Sequence, residues 1–235
     1  MGLVDVPVVS LEALVQCLNG WGGAATSVAE YLPALEKMDG LRERERKMTR
    51  VLPPPVVRRL DSGFARSNPV HPDTALALYT VCRVLKARNV FETGTYWGYS
   101  TTYLAAAVRD NGDGRVWTFD IYGRAGAHVP DDLREWIVFH RGRPSVESMP
   151  AVLAKRTPDV FFQDSLHDYD GVVSELKIIL PHLKPTSVVL FHDFVLPDVR
   201  RAAIDVLKGY NVFTIAGGDP QLLGLALPPH YELHA

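Results

Sequence analysis

The chain has 235 residues, 47% hydrophobic and 22% charged, with a formal net charge of -2. That composition describes a globular protein with one well-buried core and excludes a disordered or fibrous chain. Lys+Arg 25 against Asp+Glu 27 leaves no basic excess for a nucleic-acid or anionic-membrane partner.

Asp5 interrupts the apolar stretch at the start, so no secretory leader is expected, and Val6 stands where a myristoylation signal has Ser or Thr. No apolar run approaches the ~20 residues needed to span a bilayer. The expected location is the cytoplasm. Up to about Asn68 the pattern is helical. Leu11, Leu14, Val15 and Leu18, then Val28, Tyr31, Leu32 and Leu35, recur at helical spacing, with Gly20, Gly22 and Gly23 between them. Arg42 to Lys47 mixes charge signs as a solvated helix face does. Pro53, Pro54 and Pro55 cannot continue a helix and mark a linker or turn. Residues 1–68 therefore read as an N-terminal helical cap or oligomerisation region, and 69–235 as the main domain. Cys17 and Cys82 lie in apolar helical patterns without a CxxC or Cys/His cluster, and read as small buried hydrophobes.

From Pro69 the pattern becomes regular. A helix is predicted over His71–Lys86, with Asp73 near its start. Strands are predicted at Asn89–Thr93, Arg115–Ile121, Trp136–His140, Asp159–Asp164, Ser187–His192, Asn211–Ala216 and Leu222–Leu227. Helical stretches lie between them at Ser100–Val108, Pro130–Glu135, Ser148–Lys155, Gly171–His182 and Pro197–Lys208. Continuously apolar strands alternating with helices predict a parallel sheet covered on both faces. Only residues 217–221 separate the last two strands, which permits a hairpin but no parallel crossover. The expected fold is α/β and Rossmann-like: a mostly parallel seven-stranded sheet with one antiparallel strand, plus an N-terminal helical region.

The segment from Val90 to Ser100 carries the most chemistry. A strand ending in Glu92 runs into a turn with Gly94, Thr95, Tyr96 and Gly98, then into a helix opened by Ser100. Glycines allow close approach of a ligand, and the free amides of a helix start favour an anionic group. The next strand ends at Asp120, placed to accept both hydroxyls of a ribose. A dinucleotide site would carry a second glycine two residues after Gly94, where the pyrophosphate passes. Tyr96 occupies that position, which disfavours a nicotinamide dehydrogenase and suits a nucleoside without a pyrophosphate.

The stretch from Glu92 to Thr101 resembles the first motif of class I S-adenosylmethionine-dependent methyltransferases. Val160 to Val172, with Leu183 to Asp193, resembles the small-molecule and sugar O-methyltransferase branch related to the macrocin and mycinamicin enzymes, and more distantly the catechol type. The resemblance runs from about Pro69 to the C-terminus. It implies S-adenosylmethionine as cofactor, held by Glu92, Gly94, Thr95, Tyr96, Gly98, Ser100, Asp120 and Asp164, with Gly142 and Ser145 beside the adenine. It implies a small hydroxylated acceptor, a sugar or natural-product scaffold, and His167 as the base that removes the hydroxyl proton, sharing a loop with Asp164. It also implies a divalent metal, Mg²⁺ or Mn²⁺, at Asp164, His192 and Asp193. His192 departs from the all-oxygen donor set of the sugar enzymes. Either it shifts preference towards Mn²⁺, Fe²⁺ or Zn²⁺, or it points away and the metal site is incomplete. The N-terminal helices would cover the substrate or make a dimer contact. Two alternatives keep the fold: a metal-dependent hydroxylase-like enzyme, and a non-catalytic nucleotide-binding module.

Overall fold

The computed structural model describes residues 6–19, 70–231 and 233. The helical pattern at Val28–Leu35, the charge run at Arg42–Lys47 and the prolines at 53–55 lie outside the described residues. In chain order the elements are β1 (Val8–Val9), α1 (Leu11–Asn19), α2 (Pro72–Val84), β2 (Asn89–Thr93), α3 (Tyr99–Asn111) and β3 (Arg115–Asp120). A 3-10 turn (Asp131–Trp136) leads to β4 (Ile137–Arg141), α4 (Ser145–Leu153), β5 (Val160–Gln163), α5 (Tyr169–Ile179) and β6 (Val188–Phe191). A second 3-10 turn (Leu180–His182) follows α5, and α6 (Pro197–Val206), β7 (Asn211–Ile215) and β8 (Leu223–Leu227) complete the described elements.

The strands form one sheet in the order β1-β7-β8-β6-β5-β2-β3-β4. Every neighbouring pair is parallel except those made by β8, which runs antiparallel to both β6 and β7. The seven expected strands are present. The count is corrected to eight by β1, which pairs parallel with β7, Val8 beside Thr214 and Val9 beside Ile215. Two residues are too few to show a period, so nothing in the hydrophobic pattern reveals this strand.

Side chains alternate between the two faces of the sheet. Val90, Phe162 and Leu190 pack under α1, α2 and α3, with Leu14, Leu78 and Leu104. Phe91, Phe161 and Val189 pack under α4, α5 and α6, with Met149, Leu176 and Val199. Burial on both faces is why β5 and β6 read as unbroken apolar runs.

Register decides where the chemistry emerges. Thr93 pairs with Phe119 on one side and Gln163 on the other, and Gln163 pairs with Phe191. The next residue of each strand is Gly94, Asp120, Asp164 and His192, so these four leave the sheet at one level. β2 also marks where the strand order reverses: β3 and β4 lie on one side of it, β5 and β6 on the other. Ligands of open parallel sheets bind at such a switch point.

β8 reaches the same edge through Gly224, where a Cβ would lie 2.4 Å from the Phe194 ring. Gly224→Ala should push that ring off its seat beside Asp193. Urea unfolding should show a loss of about 1–3 kcal/mol; unchanged stability would mean that the contact is slack.

Candidate functional site

Gly94 has φ 87°, and a Cβ on it would lie 1.9 Å from the Asp164 carbonyl oxygen. Only glycine lets β2 turn away against the loop that follows β5. Gly98, φ 94°, opens α3, and a Cβ there would meet Val129 Cγ2 at 2.4 Å. Between them Tyr96 holds φ 45°, a costly conformation for a bulky residue. Its amide donates to Asp120 Oδ2 at 2.7 Å, and its carbonyl accepts from the Gly126 amide at 2.7 Å. These two bonds hold the strained turn. The Trp97 ring stacks on His128 at 4.8 Å, fixing the 122–130 loop over it.

Glu92 is fully buried beneath the turn and accepts hydrogen bonds from Ser100 (2.6 Å), Thr101 (2.5 Å) and Thr118 (2.6 Å). It ties the start of α3 to β2 and β3. Burial pushes its carboxyl up to about 7, against the pull of the three hydroxyls. Ser100 thus spends its proton inside the protein. The Thr95 hydroxyl is also engaged, 2.5 Å from that of Thr118.

Asp120 is nearly buried. Oδ2 accepts from Tyr96 and Oδ1 from the Tyr122 amide at 2.8 Å, which leaves each oxygen an unused acceptor position. Ile121 and Tyr122, which follow it, are exposed apolar side chains. The Gly142 amide donates to the Asp120 carbonyl at 2.9 Å, and space lies open where its Cβ would be. Ser145 begins α4, and its hydroxyl donates to Glu175.

Across the switch point lies a cluster of acids and histidines. His167 Nε2 is 2.9 Å from Asp193 Oδ2 and 3.7 Å from Asp164 Oδ1. His192 Nδ1 is 3.0 Å from Asp164 Oδ1 and 3.4 Å from Asp193 Oδ2, and its Nε2 is 3.8 Å from Asp219 Oδ2. Burial opposes charge on both rings, but the aspartates prevail. They raise His167 to about 9 and hold His192 well above its ordinary range. Despite its burial, Asp193 is held well below the usual carboxylate range by His167 and His192.

Asp164, His167 and Asp193 each offer one ligand atom, all within 4.8 Å of one another. The histidine that completes this three-donor set is His167. His192 is almost fully buried behind it, with carboxylates at both ring nitrogens.

Sequence reading misses the supports of this cluster. Asp193 adopts φ 50°, and Gln221 Nε2 donates to its Oδ1 at 2.5 Å. Thr74 at the start of α2 donates to Asp219, which also accepts from the Gln221 amide at 2.9 Å. Residues 74 and 219–221 are far from Asp193 in sequence and carry no motif. The β7–β8 hairpin brings residues 219–221 there, and the start of α2 brings Thr74.

Residues 91–194 match a family described as Methyltransferase domain, a span that holds every residue of the site from Glu92 to Asp193. No curated protein matches the chain in sequence. Among solved structures, the O-methyltransferase TomG from Streptomyces achromogenes is involved in tomaymycin synthesis and was crystallised with S-adenosylmethionine. It aligns at TM-score 0.57 and 20% identity, over 73% of this chain and 85% of that one. An O-methyltransferase from Bacillus cereus in complex with S-adenosylhomocysteine aligns at 0.58 and 16% identity, over 81% and 99%. CalS11, a TDP-rhamnose 3'-O-methyltransferase of calicheamicin biosynthesis, aligns at 0.54 and 19% identity, over 81% and 94%. At these identities the likeness is one of fold, and the fold is the class I, Rossmann-like one.

Glu92 supplies a test by pH. Its folded value of about 7 exceeds the ordinary 4.5, so the folded state holds the proton more tightly. Stability should therefore fall as pH rises between those two values and level off above them. The melting temperature of the parent should drop more from pH 5 to 8 than that of Glu92→Gln. Parallel pH profiles would show that Glu92 is not a strained acid.

Proposed function

We propose that this chain, which carries a methyltransferase domain on a class I Rossmann-like fold, transfers the methyl group of S-adenosylmethionine to a hydroxyl of a small molecule. The acceptor class we propose is a sugar or natural-product scaffold. One observation carries the reading: Asp120, at the end of β3, keeps one unused acceptor position on each carboxylate oxygen. That pattern matches two adjacent ribose hydroxyls. Gly94 and Gly98 let the turn take its left-handed backbone against Asp164 and Val129, and Tyr96 takes the place that a pyrophosphate needs. Exposed Ile121 offers an apolar surface to a base, and Gly142 leaves space beside it. The TomG and Bacillus cereus structures, solved with S-adenosylmethionine and S-adenosylhomocysteine, support the choice of cofactor, and the rhamnose substrate of CalS11 supports the acceptor class.

When bound, S-adenosylmethionine supplies a methyl group on a sulfonium, ready for attack by an oxygen. The protein's part is to orient the two reactants and to take the hydroxyl proton. His167 is the partly exposed imidazole at this edge, and we assign it that proton. Asp164 and Asp193 raise it to about 9, so the basic form that accepts the proton is the minor one at neutral pH and grows as pH approaches that value.

As an alternative to that role the same residues would fit a divalent cation, with His167 then a ligand and not the base. Asp164, His167 and Asp193 converge, and buried His167 Nε2 and His192 Nδ1 lack an aligned hydrogen bond although carboxylates stand beside them. Two carboxylates and an imidazole make a mixed donor set that favours Mn²⁺ over Mg²⁺. Such an ion would supply Lewis acidity to the acceptor hydroxyl. A cytoplasmic homodimer completes the proposal. Among the described residues no helix is long and apolar enough to cross a membrane.

Three experiments test these roles. Calorimetry should show S-adenosylmethionine affinity at least about tenfold weaker in Asp120→Ala and within about twofold of the parent in His167→Ala. His167→Ala should slow labelled methyl transfer to a panel of hydroxylated sugars and phenols by about 10²-fold or more. The reverse pattern would exchange the two roles. Mn²⁺ titrated into the parent should bind at one site that Asp164→Ala abolishes; equal binding by both proteins would place the ion elsewhere.

A further inference from the structure

One fully buried carboxylate lies outside the roles assigned so far. Glu175, in the middle of α5, faces the underside of the sheet's ligand edge. A carboxylate has two oxygens and about four acceptor positions. Here all four are filled. Oε1 accepts from Ser145 and from Ser165 (2.6 Å), and Oε2 accepts from Thr93 (3.0 Å) and from Gln163 Nε2 (3.3 Å).

The four donors come from three separate places in the site. Thr93 immediately precedes Gly94 in the cofactor turn. Gln163 and Ser165 flank Asp164. Ser145 opens α4 beside the Gly142 loop. Gln163 also donates to the Leu166 carbonyl at 2.8 Å, so its amide clamps the loop from Asp164 to Leu166 against Glu175. Two acceptors facing one NH₂ group fix the orientation of that amide. Each hydroxyl has one proton and spends it on Glu175, so Ser145 and Ser165 keep only acceptor capacity towards a ligand.

The loop so held also touches the cofactor turn directly. The Asp164 amide donates to the Thr93 carbonyl at 3.0 Å, and Gly94 lies so close to the Asp164 carbonyl that a Cβ would stand 1.9 Å from it. A displacement of residues 163–166 therefore presses on Gly94. The protein interior is close-packed and transmits such shifts rather than absorbing them.

We propose that Glu175 is a positioning residue that sets the cofactor turn and the Asp164 loop relative to each other. It contacts neither reactant and acts through Thr93, Gln163, Ser165 and Ser145. The ligand that feels its loss, S-adenosylmethionine, is taken from the function proposed above; the tethering of the loop is not.

The test uses the full chain and two readouts. Glu175→Gln puts an amide NH₂ where two donors point, so the clamp opens. Amide hydrogen exchange at residues 163–167 should quicken about tenfold or more. The affinity for S-adenosylmethionine should weaken about tenfold, both measured well below the melting temperature. Ser165→Ala removes one donor and leaves the charge with three; both effects should shift the same way by about threefold, which keeps the test valid should Glu175→Gln fail to fold. In the double variant, Ser165→Ala should add little to Glu175→Gln. A lower melting temperature with exchange at 163–167 and ligand affinity both unchanged would reduce Glu175 to a structural residue and overturn the proposal. Quickened exchange in a protein whose parent binds no S-adenosylmethionine would leave the tether standing and overturn the methyltransferase reading instead.

Discussion

The site depends on one constraint, the parallel register across β3, β2, β5 and β6. Because Phe119, Thr93, Gln163 and Phe191 are level, the residues that follow them leave the sheet together. A slip of one residue in any of these strands would turn its side chains to the other face of the sheet. It would also move one of Gly94, Asp120, Asp164 or His192 out of the group. Phe161 and Phe162 are identical side chains facing opposite cores, so the register is secured instead by the buried polar residues, Glu92 under its three hydroxyls and Gln163 on Glu175, which a slip would strand without partners. The fold thus sets the geometry of the chemistry before any functional side chain makes a contact.

Within that frame, the buried carboxylates differ in how much acceptor capacity each retains. Glu92 and Glu175 receive three and four side-chain donors, all from the protein, and their work is internal. Asp120 receives two backbone amides and keeps capacity for a ligand. Asp164 and Asp193 face histidines rather than hydroxyls, so their charge is balanced by groups that can themselves gain or lose a proton. Residues of one chemical type therefore become scaffold, ligand holder or proton manager according to their donors.

Much of this was legible in the chain. The alternation of apolar strands and helices predicts every long strand within a residue or two, and the short 217–221 connection predicts the antiparallel β8. Gly94, Asp120 and Asp164 are recognisable because each lies directly after or at the end of a strand, where local sequence decides the position. The rest is set by contacts distant in sequence. Glu175 is one polar residue in an amphipathic helix until donors from the end of β2, from β5 and its following loop, and from the start of α4 meet over it. Gln221 and Asp219 become partners of the site only through the β7–β8 hairpin. Glu92 and Ser100, which the resemblance implies as cofactor contacts, lie buried beneath the turn and bonded to each other. That His167 stands beside Asp164 and Asp193 as well as His192 follows from the spatial course of the 164–167 loop, which a linear motif does not specify.

The central claim concerns a nucleoside held by Asp120 without a pyrophosphate beside Tyr96. Calorimetric titration of the full chain with S-adenosylmethionine, S-adenosylhomocysteine and NADH tests it most directly. The account predicts saturable binding of both adenosyl ligands and none of NADH. Binding of NADH with neither adenosyl ligand would contradict it.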